Sequence, residues 1–292
     1  PGPVRGGGPG VARLGRMRSA LRITTRNARF QQWQALLSNR TKRRRSGEFL
    51  VQGVRPITLA VETGWPVAAL LYADGRRLSG WARTLLDDPG VPGERVAMAP
   101  GLLAELSERE DGDAELVAVV RMPEDDLSRI PTGPAFLGVL FDRPTSPGNI
   151  GSIIRSADAF GADGMIVTGH AADVYDPKSV RASTGSLFCL PTVRVPSPRE
   201  VDDWLAGRTE HPLTVVGTDE GGETELYEAD LTGPTLLLVG NETSGLSTAW
   251  RERCHRTVRI PMRGRASSLN AANAATAVLY EAARQRDRAR PA

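Results

Sequence analysis

Five short, almost wholly apolar runs recur along the second half of the chain: Phe136–Phe141, Met165–Thr168, Leu213–Gly217, Thr235–Gly240 and Val258–Pro261. Runs of this kind, with little alternation, are what parallel strands covered on both faces require. Helical patterns lie between them. Ile150, Ile153, Ile154 and Ala157 fall at i, i+3, i+4 and i+7 and form one stripe of a helix. An alanine-rich stretch from Leu269 to Arg286 predicts a final helix. The alternation of strand and helix over 135–292 predicts a doubly wound α/β domain. The first part is less regular. Phe30, Trp33, Leu36 and Leu37 keep helical spacing, followed by a basic turn, a strand at Phe49-Leu50-Val51 and a helix from Arg55 to Glu62. A strand at Ala68–Tyr72, a short helix at Leu102–Leu106 and a strand at Glu115–Val120 complete a small α/β module over 21–121. Residues 122–134, with three prolines and several acids, read as a linker. Residues 1–20 are rich in Gly, Pro and Arg without an apolar period, and read as a disordered tail.

Charge changes this picture. Residues 1–60 carry 13 of the 37 basic residues against the single acid Glu48, a net +12, which leaves −9 for the rest of the chain. A basic end of this kind fits a polyanion, and the candidate contacts are Arg40, Lys42, Arg43, Arg44 and Arg45, with Arg22, Arg26 and Arg29 nearby. No apolar stretch approaches the ~20 residues of a membrane span, and Val11–Leu21 is broken by Arg13, Arg16 and Arg18, so a cytoplasmic location is expected. The two cysteines, Cys189 and Cys254, are far apart and carry no disulfide or zinc pattern. The three histidines have no metal-site spacing, and no metal is expected.

Ligands of open parallel sheets bind beyond the carboxyl ends of the strands. Four loops follow the apolar runs there: Asp142–Gly151, Gly217–Gly222, Gly240–Gly245 and Pro261–Asn270. All are rich in Gly, Asn, Ser or carboxylate, residues that allow close backbone approach and polar contact. Asn149 and Ser268 sit where helix caps belong. Gly240-Asn241-Glu242 places an amide and a carboxylate directly after a buried strand. The phosphate loop of nucleotide hydrolases, the dinucleotide fingerprint and the nucleophile elbow are all missing.

Three stretches resemble the SpoU, or TrmH, family of RNA 2'-O-ribose methyltransferases: Asn149-Ile150-Gly151-Ser152-Ile153-Ile154-Arg155 with Phe160-Gly161; Leu237–Ser247 around Gly240-Asn241-Glu242; and Ile260-Pro261-Met262 followed by Ser268-Leu269-Asn270. Arg181–Gly185 is also similar to a family segment. The resemblance implies an α/β domain with a C-terminal trefoil knot, a homodimer and S-adenosylmethionine as cofactor. It implies cofactor contacts at Thr218, Gly240, Ile260, Met262 and Leu269. It further implies Arg155, Asn149, Glu242, Ser268 and Asn270 as the residues that act on the ribose hydroxyl, with Glu242 holding Asn149 or Arg155. The basic N-terminal module resembles a ribosomal-protein-like RNA-binding domain. The implied substrate is ribosomal RNA, in the manner of actinomycete members that protect large-subunit RNA from antibiotics. Transfer RNA methylation and a non-catalytic RNA-binding role on the same scaffold are the alternatives.

Overall fold

The computed structural model describes residues 21–107 and 114–289; the tail expected over 1–20 lies outside the described residues. The N-terminal module runs β1 (Leu21–Ile23), α1 (Ala28–Ser38), α2 (Arg40–Ser46), β2 (Glu48–Gln52), α3 (Val54–Glu62), β3 (Val67–Ala73), α4 (Gly80–Asp87), β4 (Glu94–Met98), α5 (Pro100–Ser107) and β5 (Leu116–Arg121). Its sheet has the order β1-β4-β3-β5-β2, in which β1, β4 and β3 are parallel and β5 runs antiparallel to β3 and β2. The helical spacing of Phe30, Trp33 and Leu36 is that of α1, which buries all three against this sheet.

The basic run is a helix and not a turn. Asn39 caps α2 by accepting from the Lys42 amide at 3.0 Å, and Gly47, at φ 67°, closes it in the left-handed conformation. The winding sorts the arginines. Arg44 and Arg45 stay exposed beside Lys42, whereas Arg43 turns inward and is 1% exposed. Arg43 Nε donates to Asp173 at 2.8 Å, Nη1 to the Leu36 carbonyl at 2.7 Å, and Nη2 reaches Asp176 at 3.5 Å. Arg43 is therefore a structural ion pair, which corrects its reading as an RNA contact. Arg40 is also drawn in: its Nη1 donates to the Ala171 carbonyl at 2.6 Å, and loss of solvent, with the neighbouring Arg44 charge, lowers its pKa. Arg22 and Arg26 pair with Asp74 and Glu105 at 2.5 Å each, and Arg29 pairs with Glu94.

After the segment 122–136 come β6 (Leu137–Asp142), α6 (Pro147–Ala159), β7 (Gly164–Thr168), α7 (Pro177–Ser183), β8 (Thr192–Val195), α8 (Pro198–Ala206), β9 (Thr214–Thr218), β10 (Thr224–Glu225), β11 (Thr235–Val239), α9 (Thr248–Arg251), β12 (Arg256–Arg259) and α10 (Ala271–Ala289). The seven strands pair in parallel in the order β10-β12-β9-β11-β6-β7-β8. The alternation of strands explains why whole runs are apolar. Leu137, Val139 and Phe141 enter one core and Phe136 and Leu140 the other; Leu237 and Val239 oppose Leu236 and Leu238 in the same way.

The first of those cores continues into the N-terminal module. The Phe49 ring lies 4.8 Å from Tyr175 and 6.3 Å from Phe188, and Trp65 Nε1 donates to the Phe188 carbonyl at 3.1 Å. The buried Arg43–Asp173 pair sits in this same junction between the two sheets. Removing one member of such a pair leaves an uncompensated buried charge, at a cost of about 3–5 kcal/mol. Arg43→Ala is expected to lower Tm by roughly 5–15 °C by calorimetry. A further Asp173→Leu change should recover much of that loss, because it removes the stranded carboxylate.

Candidate functional site

Four neighbouring parallel strands end together. β6 ends at Asp142, β9 at Thr218, β11 at Val239 and β12 at Arg259, so the loops that follow share one rim of the sheet. They enclose a cavity of about 740 Å³. Thr218, Gly240, Ile260, Met262 and Leu269 all line it, as do Glu242 and Ser268. Asn149, Asn270 and Arg155 are not among its lining residues, although Asn149 is one hydrogen bond from its wall through Glu242 and Asn270 is one bond further.

Gly240 begins the tightest part of that wall. A Cβ there would stand 2.4 Å from the Gly245 carbonyl carbon and from the Leu246 nitrogen, so only glycine fits. The turn is closed by a pair of 3.0 Å backbone bonds between Asn241 and Gly245. The Asn241 side chain accepts from the Thr243 and Ser244 amides at 2.9 and 3.0 Å and donates to the Arg143 carbonyl at 2.7 Å. Thr218 Oγ1 donates to the Leu238 carbonyl at 2.9 Å, tying two adjacent strand ends.

Glu242 reaches from this turn to the start of α6. One carboxylate oxygen accepts from the Thr145 amide (2.9 Å) and hydroxyl (3.0 Å), the other from the Ser146 amide (3.0 Å) and Asn149 Nδ2 (3.1 Å). Asn149 Oδ1 in turn accepts from Asn270 Nδ2 at 3.1 Å, and Asn270 Oδ1 accepts from the Ala272 amide at 2.9 Å. One chain of bonds thus fixes the β11 loop, the first turn of α6 and the start of α10. The caps are Ser146 and Asn270 rather than Asn149 and Ser268. Ser268 and Arg155 are exposed, and their side chains make no hydrogen bond or ion pair among the described residues. Glu242 holds Asn149 and not Arg155.

Loss of solvent works against the Glu242 charge, but the Thr145 amide, its own amide, the Asn149 side chain and the Ser146 amide outweigh it and hold the carboxyl below its ordinary value. A depressed folded pKa contributes stability that is present above the unfolded value and is lost as pH falls through the folded one. The Tm gap between the wild type and Glu242→Gln is therefore expected to be widest above pH 4.5 and to close on further acidification. Calorimetry across pH checks this.

Two residues that sequence reasoning passed over brace the rim. Asp142, 2% exposed, accepts from the Ser247 amide at 2.8 Å and from Arg143 Nε at 3.1 Å. Arg143, at φ 50°, also donates from Nη2 to the Gly245 carbonyl at 3.1 Å. The signal was available: Asp142 is a charge at the last position of a buried strand, and Glu242 lies close behind another. Behind the same rim, burial pushes the Cys254 thiol up to about 11, which keeps it protonated.

Residues 27–118 match the SpoU L30e-like domain, and residues 137–280 match the SpoU rRNA Methylase family. The chain is 68% identical over 270 residues, 92% of its length and 93% of the relative's, to the 23S rRNA (uridine(2479)-2'-O)-methyltransferase of Streptomyces viridochromogenes. The chain belongs to the SpoU rRNA methylase family. Its structure superposes on the SpoU methyltransferase AviRb of Streptomyces viridochromogenes, solved in complex with AdoMet, with a TM-score of 0.87 and 68% identity, covering 91% of this chain and all of that one. An AdoMet-bound rRNA methyltransferase from Sinorhizobium meliloti matches with a TM-score of 0.79 and 28% identity over 91% of this chain and 98% of that one. The architecture of this SpoU member, a parallel-rich sheet beside a small N-terminal α/β domain, is that of an α/β-knot methyltransferase.

Proposed function

We propose that this SpoU protein binds S-adenosylmethionine in the rim cavity and methylates a ribose 2'-hydroxyl of 23S ribosomal RNA. The observation that carries the reading is the cavity itself. Its walls are two of the three family stretches, the turn after β11 and the loop after β12, together with the end of β9, and the turn after β11 admits no side chain at Gly240. Backbone groups of Gly240, Ile260 and Leu269, which line the cavity, would suit an adenosyl group, with Thr218 and Met262 on the same wall. S-adenosylmethionine, when bound, supplies a methyl group already activated by its sulfonium. The remaining work is positioning and charge stabilisation by the protein, and positioning alone lowers barriers by as much as about 7–11 kcal/mol.

Asn149 and Asn270 are held by Glu242 in one fixed geometry beside the cavity and would orient the ribose. Ser268, exposed on the wall, would bond the nucleotide. A guanidinium is a lasting cation with a planar fork of donors, so Arg155 suits stabilisation of the charge that develops on the 2'-oxygen rather than proton abstraction. Lys42, Arg44 and Arg45 form the exposed part of the N-terminal RNA surface. Two copies of the chain would make the working unit; light scattering of the purified protein tests this.

The decisive experiment incubates the protein with labelled S-adenosylmethionine and either 23S ribosomal RNA or transfer RNA, followed by nuclease digestion and nucleoside analysis. A 2'-O-methyl nucleoside from 23S RNA is expected. A methylated base, labelling of transfer RNA alone, or uptake without transfer would overturn the reading. Tolerance of large-subunit antibiotics by cells carrying the gene shows whether the modification also protects the ribosome.

A further inference from the structure

The loop between β12 and α10 has an unusual combination of features. All ten residues from Pro261 to Asn270 are exposed, and Met262 and Leu269 are each 40% accessible. Both ends of the loop belong to the cavity: Ile260–Met262 line it on entry, Ser267–Leu269 line it on return, and Asn270 bonds Asn149. The middle of the loop does not line it. That middle is Arg263-Gly264-Arg265-Ala266, two arginines held at the cavity mouth by a segment anchored at each end.

Charge accounting around the rim sets these two apart. Asp219 is paired with Arg251 at 2.9 Å, Glu225 with Arg259 at 3.2 Å, and Asp142 with Arg143 at 3.1 Å; Glu242 is satisfied by Thr145, Ser146 and Asn149. Glu220, on the Thr218 side, is the lining carboxylate left without a partner among the described residues. Arg263 and Arg265 likewise make no hydrogen bond or ion pair among the described residues. Arg263 faces Glu225 and Tyr227 electrostatically, but the Glu225 carboxylate is already engaged by Arg259. Elsewhere in this arginine-rich chain Arg22, Arg26, Arg29, Arg43, Arg194 and Arg253 are all neutralised by carboxylates. Two free guanidinium forks beside the place where a ribose must enter match the phosphates on either side of that ribose, which they bind bidentately.

We propose that Arg263 and Arg265 grip the RNA phosphates that flank the target ribose, making the 261–270 loop an RNA contact as well as a cofactor wall. The proposal rests on the methyltransferase reading above. Its test is RNA binding by the full chain with S-adenosylmethionine present, measured across salt concentrations with 23S ribosomal RNA as probe. Each phosphate contact contributes about 0.7–0.9 to the slope of log affinity against log salt, so the double variant Arg263→Ala/Arg265→Ala is expected to lower that slope by about 1.4–1.8. Its KM for RNA should rise by about tenfold while its Kd for S-adenosylmethionine, by calorimetry, stays within twofold. Arg263→Lys/Arg265→Lys should restore the slope, because the charge returns. An unchanged slope overturns the proposal. A weakened cofactor affinity with an unchanged slope also overturns it, since the loop would then only shape the cavity. If the wild type itself forms no 2'-O-methyl nucleoside in the same assay, it is the methyltransferase reading that fails.

Discussion

An Arg155→Ala variant is expected to bind S-adenosylmethionine as tightly as the wild type and to lose methyl transfer by a factor on the order of 10²–10³, the usual loss for a donor aimed at a developing oxyanion. The structure separates the two effects. Arg155 is not among the residues that line the cavity, so its removal leaves the cavity walls intact. It is exposed, so truncation is expected to change folding stability by no more than about 0.5 kcal/mol. Its helix is nonetheless well placed: the buried stripe Ile150, Ile153, Ile154 and Ala157 fixes the roll of α6, and Glu242 fixes the first turn through Thr145, Ser146 and Asn149. Arg155→Lys keeps the charge and loses the planar fork, so its rate should fall between wild type and alanine. Single-turnover methylation at saturating RNA, beside calorimetry of cofactor binding, reads both quantities. A near-normal rate for Arg155→Ala would remove Arg155 from the reaction.

The strands of the large sheet were legible because burial on both faces leaves little choice but apolar residues. β6, β7, β9, β11 and β12 coincide with the five runs to within two or three residues. β8 was not legible. It is an edge strand of four residues, Thr192–Val195, and Arg194 interrupts it because that side chain leaves the sheet to pair with Asp125 at 2.6 Å. β4 of the smaller sheet was hidden for a similar reason: it begins Glu94-Arg95, and Arg95 spends its guanidinium on the carbonyls of Leu86, Asp88, Val91 and Gly93. Among the site residues, Glu242 could be read because a carboxylate close behind a buried strand demands partners. The partners could not be read, since Thr145, Ser146 and Asn149 lie more than ninety positions away. Arg43 shows the limit most directly. A run of arginines reads as a surface, and which of them faces inward depends on the helix that Asn39 and Gly47 delimit and on Asp173, 130 residues on.

The turn at Gly240 supports an equally sharp expectation. An alanine methyl at 240 would press on three backbone positions, the Gly245 carbonyl carbon and the Leu246 nitrogen at 2.4 Å and the Gly245 Cα at 2.8 Å, and backbone has no rotamer to escape into. The surroundings resist as well. Gly245 is bonded to Asn241 in both directions at 3.0 Å and to Arg143 Nη2 at 3.1 Å, and Ser247 is held by Asp142 at 2.8 Å. Overpacking of this sort costs about 1–3 kcal/mol, and it is relieved most directly by displacing the 241–246 turn that walls the cavity. Gly240→Ala is therefore expected to weaken S-adenosylmethionine binding by about 10–100-fold, with the Glu242–Asn149 bond disturbed in the same step. Gly264→Ala is the matched control, since a Cβ there meets nothing within 4 Å; its cofactor affinity should equal that of the wild type. Calorimetric titration of both variants decides the matter. If Gly240→Ala bound the cofactor within threefold of the wild type, the turn would not be its seat, because no rearrangement that accommodates the methyl leaves the 240–246 wall where it stands.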